Sequence, residues 1–307
     1  MKWLLTAALA ASSAAATDLI VPLYQYPLDN GAVWQPIYDA LTSNQNLIAK
    51  IIINPDSGPG GPANGINDGW YKTGAQNLAS HANAQLFGYV HTSTDGGQTR
   101  CSAPYETVVA NITRWSDWVA AGVAIQGIFI DEAPASTAND CVAYMRNLTE
   151  FIRTDASLRF PGRLVIFNPG GTGDLQPFYD LKPTLILALE TCFIAASADP
   201  NYDGCSGSYE RYDHAGFGSS IDAVLLPSIG AANAPATAVV VHGFHGSNGD
   251  PANLVADADT LAGVIRAAVA RKIGAVFFNT AWYQQFSDAP ATIGAVASLL
   301  SAANAAA

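Results

Sequence analysis

The chain has 307 residues, half of them hydrophobic, and carries a formal net charge of −11. That apolar fraction suffices for a large core without help from metals, and that acidity argues against nucleic acid or an anionic membrane surface as partner. It suits a cationic or neutral substrate, such as an amino-sugar polymer, but it is also the ordinary acidity that keeps many exported proteins soluble.

The first residues, Met1-Lys-Trp-Leu-Leu-Thr-Ala-Ala-Leu-Ala10, run into Ser12-Ser-Ala-Ala-Ala16. One basic residue, a short apolar core and small residues fit a secretory signal peptide over 1–16, which leaves 17–307 as the folded domain. No later run approaches the roughly 20 apolar residues of a membrane span. Cys101, Cys141, Cys192 and Cys205 are an even set suited to two disulfides in an oxidising compartment. Asn111-Ile-Thr113 and Asn147-Leu-Thr149 are N-glycosylation acceptors if the source is eukaryotic.

Eight short β-branched or aromatic runs follow one another: 18–24, 50–54, 86–91, 126–131, 164–168, 185–190, 238–242 and 275–279. Most are continuous apolar runs, as in parallel strands buried on both faces. Helical segments are predicted between them over 33–49, 67–84, 105–121, 137–155, 251–272 and 291–303. The third has Val108, Ile112, Trp115 and Val119 at spacings of three and four, and the fourth has Val142, Met145, Leu148 and Ile152. Eightfold strand–helix alternation predicts an α/β fold, a (β/α)8 TIM barrel in a single domain. A doubly wound open sheet is the alternative, but no G-x-G-x-x-G follows the first run. Residues 175–235 are the weakest part, and Ala223-Val-Leu-Leu-Pro227 reads as a strand or as part of an inserted lid.

The runs end in polar or aromatic residues: Tyr24, then Asn54 with Asp56, Tyr89 and His91, Asp131 with Glu132, Asn168, Glu190, His242 with His245, and Asn279 with Trp282 and Tyr283. In a barrel all eight ends converge on one face, making a polar pocket walled with aromatics, which is how carbohydrate sites look. Singly, Asn54, Asn168 and Asn279 fit turn or cap roles as well, His91 and His242 fit satisfied core histidines, and Trp282 and Tyr283 fit rim packing. Asp131 and Glu132 follow the strand 127–130 directly and precede Pro134. Alone they fit an exposed acidic turn as well as a catalytic pair.

Other chemistries lack their signatures. No H-E-x-x-H or C-x-x-C argues for a metal. Gly58-Pro-Gly-Gly-Pro62 lacks the lysine of a phosphate loop, and Ser206-Gly-Ser208 near His214 makes no G-x-S-x-G elbow. No cofactor is expected. Paired carboxylates flanking a scissile bond are the best-supported machinery, and glycoside hydrolysis is their commonest use. By position, Cys101 and Cys141 would tie neighbouring barrel units together, and Cys192 with Cys205 would close a loop beside Glu190.

Val21-Pro-Leu-Tyr-Gln-Tyr-Pro27, Ile52-Ile-Asn-Pro-Asp-Ser-Gly-Pro59, Gly88-Tyr-Val-His-Thr-Ser93 and Gly127-Ile-Phe-Ile-Asp-Glu-Ala-Pro134 together resemble the spherulin 4 family, glycoside hydrolase family 135, from about residue 18 to residue 285. The resemblance implies a (β/α)8 barrel and endo-hydrolysis of an α-1,4-linked N-acetylgalactosamine or galactosamine polymer of the galactosaminogalactan type. It implies catalytic roles for Asp131, Glu132 and Glu190: Asp131 as nucleophile and Glu190 as general acid/base of a retaining reaction, with Glu132 orienting the pair or the sugar. The partner would be a polysaccharide, met by a secreted monomer. The alternative is a secreted carbohydrate-binding or coat protein that kept the barrel and lost turnover.

Overall fold

The computed structural model describes residues 16–61, 63–192, 221–242, 244, 258–280 and 292–307. Eight parallel strands close into one barrel in sequence order: β1 (Asp18–Leu23), β2 (Ala49–Ile53), β3 (Ala84–His91), β4 (Ile125–Asp131), β5 (Leu164–Phe167), β6 (Leu185–Cys192), β7 (Thr237–His242) and β8 (Ala275–Phe278). β8 pairs back onto β1 through Asp18 opposite Ala275 and Leu19 opposite Val276, which closes the sheet. Each strand lies within two residues of its predicted run. The predicted barrel is the observed fold, and the open sheet is excluded by the closure.

The helices lie outside, one after each strand: α1 (Gln35–Ser43), α2 (Gly69–Ala79), α3 (Tyr105–Ala120), α4 (Cys141–Thr154), α5 (Gln176–Tyr179), α6 (Leu226–Ile229), α7 (Ala258–Ala270) and α8 (Ile293–Ala305). On α3, Val108, Ile112, Trp115 and Trp118 form the buried stripe. On α4 the stripe begins at Cys141 rather than Val142 and continues through Met145, Leu148 and Ile152. Each such buried side chain stabilises the fold by about 1.5–3 kcal/mol relative to exposure. The predicted helix 33–49 is cut short at Ser43 because Ala49 already enters β2. The stretch 223–227 is not a strand: Ile221–Leu225 is one wide helical turn that runs directly into α6. All but Ala16 of the expected signal peptide 1–16, residues Cys205, Ser206 and His214, and residues His245, Trp282 and Tyr283 lie outside the described residues.

A disulfide joins Cys101, in the loop after β3, to Cys141 at the start of α4, with Cα atoms 5.8 Å apart and a sequence separation of 40. This is the expected link between neighbouring barrel units, and closing a loop of that length contributes about 4 kcal/mol in the chain-entropy model. At the opposite, amino-terminal end of the strands, Lys50 of β2 pairs with Asp18 of β1, largely out of solvent. Among the described residues no helix is long and apolar enough to cross a membrane.

Candidate active site

The carboxyl ends of β3, β4, β5 and β6 bring Tyr89, Asp131, Asn168 and Glu190 into one hydrogen-bonded set. Tyr89 donates its hydroxyl to Asp131 Oδ2 at 2.6 Å. Asn168 donates its amide nitrogen to Asp131 Oδ1 at 2.7 Å and to Glu190 Oε2 at 3.0 Å. The carboxamide cannot be reversed, because Asn168 Oδ1 accepts the backbone N–H of Gly170 at 2.9 Å. Gly170 reaches that place with φ +73°, the left-handed region that glycine enters without strain, in the Asn168-Pro-Gly-Gly turn. Both Nδ2 hydrogens therefore face carboxylates. Since both carboxylates accept from this one nitrogen, their accepting oxygens lie no more than about 5.7 Å apart, the two contacts laid end to end.

Tyr89 is anchored from behind. The indole N–H of Trp115 donates to the Tyr89 carbonyl at 2.8 Å. That approach requires Gly88, where a Cβ would come within 2.3 Å of the Trp115 ring. The Tyr24 ring, at the end of β1, meets Tyr89 edge to face with centroids 5.7 Å apart and completes the aromatic side of the pocket.

Electrostatics divide the two carboxylates. Burial raises Asp131 above the usual carboxylate range, opposed by hydrogen bonds from Tyr89, the Glu132 amide and Asn168, and by the charge of Arg100. Glu190 is pushed from 4.5 to about 7, first by burial and then by the neighbouring Asp131 charge. Two carboxylates this close do not both ionise readily, so one proton resides on the pair, on Glu190 when Asp131 is ionised. Burial, then the charge of Asp131, likewise raises the Tyr24 and Tyr89 hydroxyls, which remain protonated donors.

Glu132 does not join this set. Its backbone is left-handed, φ +52°, pinned by Thr92 Oγ1 donating to its carbonyl at 2.7 Å and by the Ala133 N–H donating to the Asn168 carbonyl at 2.9 Å. Such a conformation costs about 1–3 kcal/mol in a non-glycine residue. It turns the side chain towards β3, where Glu132 Oε2 lies 3.5 Å from His91 Nδ1. His91 Nδ1 is also 2.7 Å from the Ser93 carbonyl.

The remaining strand-end residues have local partners. Asn54 Oδ1 accepts the Gly58 N–H at 2.9 Å, and exposed Asp56 accepts from Asn64 Nδ2 at 2.9 Å, so both brace the glycine-rich loop after β2. Asn279 is buried and accepts from Thr292 Oγ1 at 3.4 Å, which secures the link from β8 to α8. His242 is wholly buried at the end of β7, and burial pushes its imidazole down to about 3, so it is neutral.

Arg100 was not foreseen from the sequence. The half-buried guanidinium approaches Gly97, where a Cβ would lie 3.2 Å from Arg100 Nη1 and 3.5 Å from Glu132 Cγ, and its charge reaches both Asp131 and Glu190. A cation directly before a disulfide cysteine in a strand-end loop was the available signal. Arg100→Gln is expected to let both carboxylate pKa values rise. A reaction that needs ionised Asp131 and protonated Glu190 then has both limbs of its kcat/KM–pH profile shifted to higher pH. Unmoved limbs would show that Arg100 has no electrostatic role.

The model of the spherulation-specific family 4 matches residues 18–298. No curated protein sequence matches. Among solved structures, the chain is similar to Aspergillus clavatus Sph3 in complex with GalNAc, at 23% identity and TM-score 0.71, covering 94% of this chain and 98% of that one. It is also similar to a GH5-4 broad-specificity endoglucanase from Clostridum cellulovorans, at 10% identity and TM-score 0.51 over 94% of each chain. A family 5 xyloglucanase from Paenibacillus pabuli is similar at 10% identity and TM-score 0.50, over 95% of this chain and 99% of that one. At these identities the structural likenesses speak for the barrel.

Proposed function

This chain belongs to the spherulation-specific family 4, and from that premise we propose that it is a secreted glycoside hydrolase. In this reading it cleaves within an α-1,4-linked N-acetylgalactosamine or galactosamine polymer. The observation that carries the proposal is the single Asn168 nitrogen shared by Asp131 and Glu190. Retaining glycosidases hold their two carboxyl groups about 5–5.5 Å apart, whereas inverting ones leave about 6.5–9.5 Å for a water. Oxygens bound to one nitrogen favour the shorter spacing.

In this mechanism Asp131, ionised and aimed by Tyr89 and Asn168, attacks the anomeric carbon. Glu190, protonated at neutral pH through burial and the Asp131 charge, gives its proton to the leaving oxygen. The proton passes out with the leaving sugar, so Glu190 becomes the carboxylate that activates water for the second step. Asn168 then holds both oxygens in place throughout. In this reading Glu132 and His91, 3.5 Å apart on the β3 side, bind the sugar beside the scissile bond, and the GalNAc bound by Sph3 supports an amino sugar as that ligand.

Reducing-end release from galactosamine, chitin and glucan polymers tests the reading. Release from the galactosamine polymer above the other two is expected. Binding without release from any of them would favour a lectin-like or coat protein instead.

A further inference from the structure

Among the described residues, the exposed large hydrophobic side chains are Leu28 at 48% and Trp70 at 42%, Leu28 in the turn after β1 and Trp70 in the first turn of α2, both at the carboxyl end of the barrel. Leu28 opens the short turn Leu28–Gly31, which packs against α2. Trp70 is built in. Asp68 caps α2 by accepting the backbone N–H of Trp70 at 2.9 Å and of Tyr71 at 3.1 Å through Oδ1, and its Oδ2 accepts the Tyr26 hydroxyl at 2.6 Å. One carboxylate thus fixes both the helix turn that presents the indole and the ring beside it. Tyr26 and Trp70 stand with centroids 6.1 Å apart at an interplanar angle of 54°. Behind them buried Tyr71 packs 5.9 Å from Tyr26, 5.7 Å from Trp34 and 6.0 Å from Trp118, so the pair rests on a rigid aromatic base.

This pair is continuous with the candidate site. Tyr26 follows Tyr24 by two residues on the same strand end, and Tyr24 meets Tyr89, the donor to Asp131. We propose that Trp70, with Tyr26 beside it, is a remote glycosyl subsite that stacks on the apolar face of one pyranose ring of the polymer, several residues from the scissile bond. The proposal rests on the glycoside hydrolase reading of the Asp131–Glu190 centre. An indole kept half in water on a capped helix turn contributes little to the core, whereas a flat amphipathic ring suits the C–H face of a sugar. The bond to Asp68 pushes the Tyr26 hydroxyl up to about 12, so it stays a protonated donor to Asp68 and the pair keeps its geometry at any working pH. An enzyme that cuts within a chain gains from such a contact only when the substrate is long enough to reach it.

The test compares wild type, Trp70→Ala and Leu28→Ala on short oligomers and on long chains of α-1,4-linked N-acetylgalactosamine, by KM, kcat and binding. Trp70→Ala is expected to raise KM for the long chain about tenfold, with kcat held and a much smaller change for the short oligomer, while Leu28→Ala matches wild type. Equal effects on short and long substrates, or unaltered binding of the long chain, would overturn the subsite. Wild type that binds the long chain through Trp70 yet releases no reducing ends would sink the hydrolase reading and leave the subsite standing. Wild type that binds neither length overturns both.

Discussion

Asp131→Asn is expected to leave the barrel folded and to lower hydrolysis by a factor on the order of 10⁴ or more, about 5.5 kcal/mol of lost transition-state stabilisation. The fold tolerates the change because the new side chain still has an acceptor for Asn168 Nδ2, and its amide can donate to the Tyr89 hydroxyl, which now sits where the second carboxylate oxygen was served. The chemistry does not tolerate it, since a neutral carboxamide is no nucleophile at the anomeric carbon. Circular dichroism and thermal melting alongside reducing-end assays separate the two. A folded Asp131→Asn with full activity would remove Asp131 from the mechanism.

Glu190→Gln is expected to do two opposite things. Loss of the general acid should cut kcat by roughly 10²–10⁴-fold, with partial recovery on substrates whose leaving group needs no proton. The same change should stabilise the protein at alkaline pH. Glu190 has a folded pKa of about 7 against 4.5 for the ordinary group, so its protonated form is the one that the fold prefers. The stability associated with it is complete below about pH 4.5 and is lost as pH rises through about 7, to a total of about 3 kcal/mol. Glutamine keeps an acceptor for Asn168 and carries no charge to desolvate beside Asp131. The melting temperature of Glu190→Gln should therefore exceed that of wild type by several degrees at pH 8 and approach it at pH 4. Equal melting curves at both pH values would mean that Glu190 is not held in the buried, Asp131-facing position. A site residue whose removal stabilises the fold is the expected mark of an environment arranged for reaction rather than for stability.

The barrel was legible because burial on both faces leaves eight mostly continuous apolar runs, which the helical stretch 223–227 imitates. The helices were legible where an inward stripe is long, as on α3 and α4. They were not where the crossover is a single turn: Gln176–Tyr179 and Leu226–Ile229 each carry a proline in the first turn and too few residues for a period to show. Positions of carboxylates at strand ends were equally plain, so Asp131 and Glu190 could be picked out. Their coupling could not. It depends on the two donors of one amide, held by the N–H of Gly170, and a sequence shows neither an amide's orientation nor its sharing. Glu132 reads as the twin of Asp131 in the chain, but tertiary bonds from Thr92 hold it left-handed and send it towards His91. Asn54 and Asp56 look like pocket residues for the same reason that Asn168 does, yet they spend their hydrogen bonds on the loop after β2. Arg100 was hidden because its position depends on Cys141, 40 residues beyond its neighbouring cysteine.

The shared Asn168 nitrogen makes a stereochemical statement, and proton NMR of the first product from the α-1,4-linked galactosamine polymer reads it directly. The account predicts that the newly formed reducing end appears first as the α-anomer and only later mutarotates, as a double displacement through Asp131 requires. A β-anomer formed first would mean single displacement by water, and would contradict Asp131 as nucleophile.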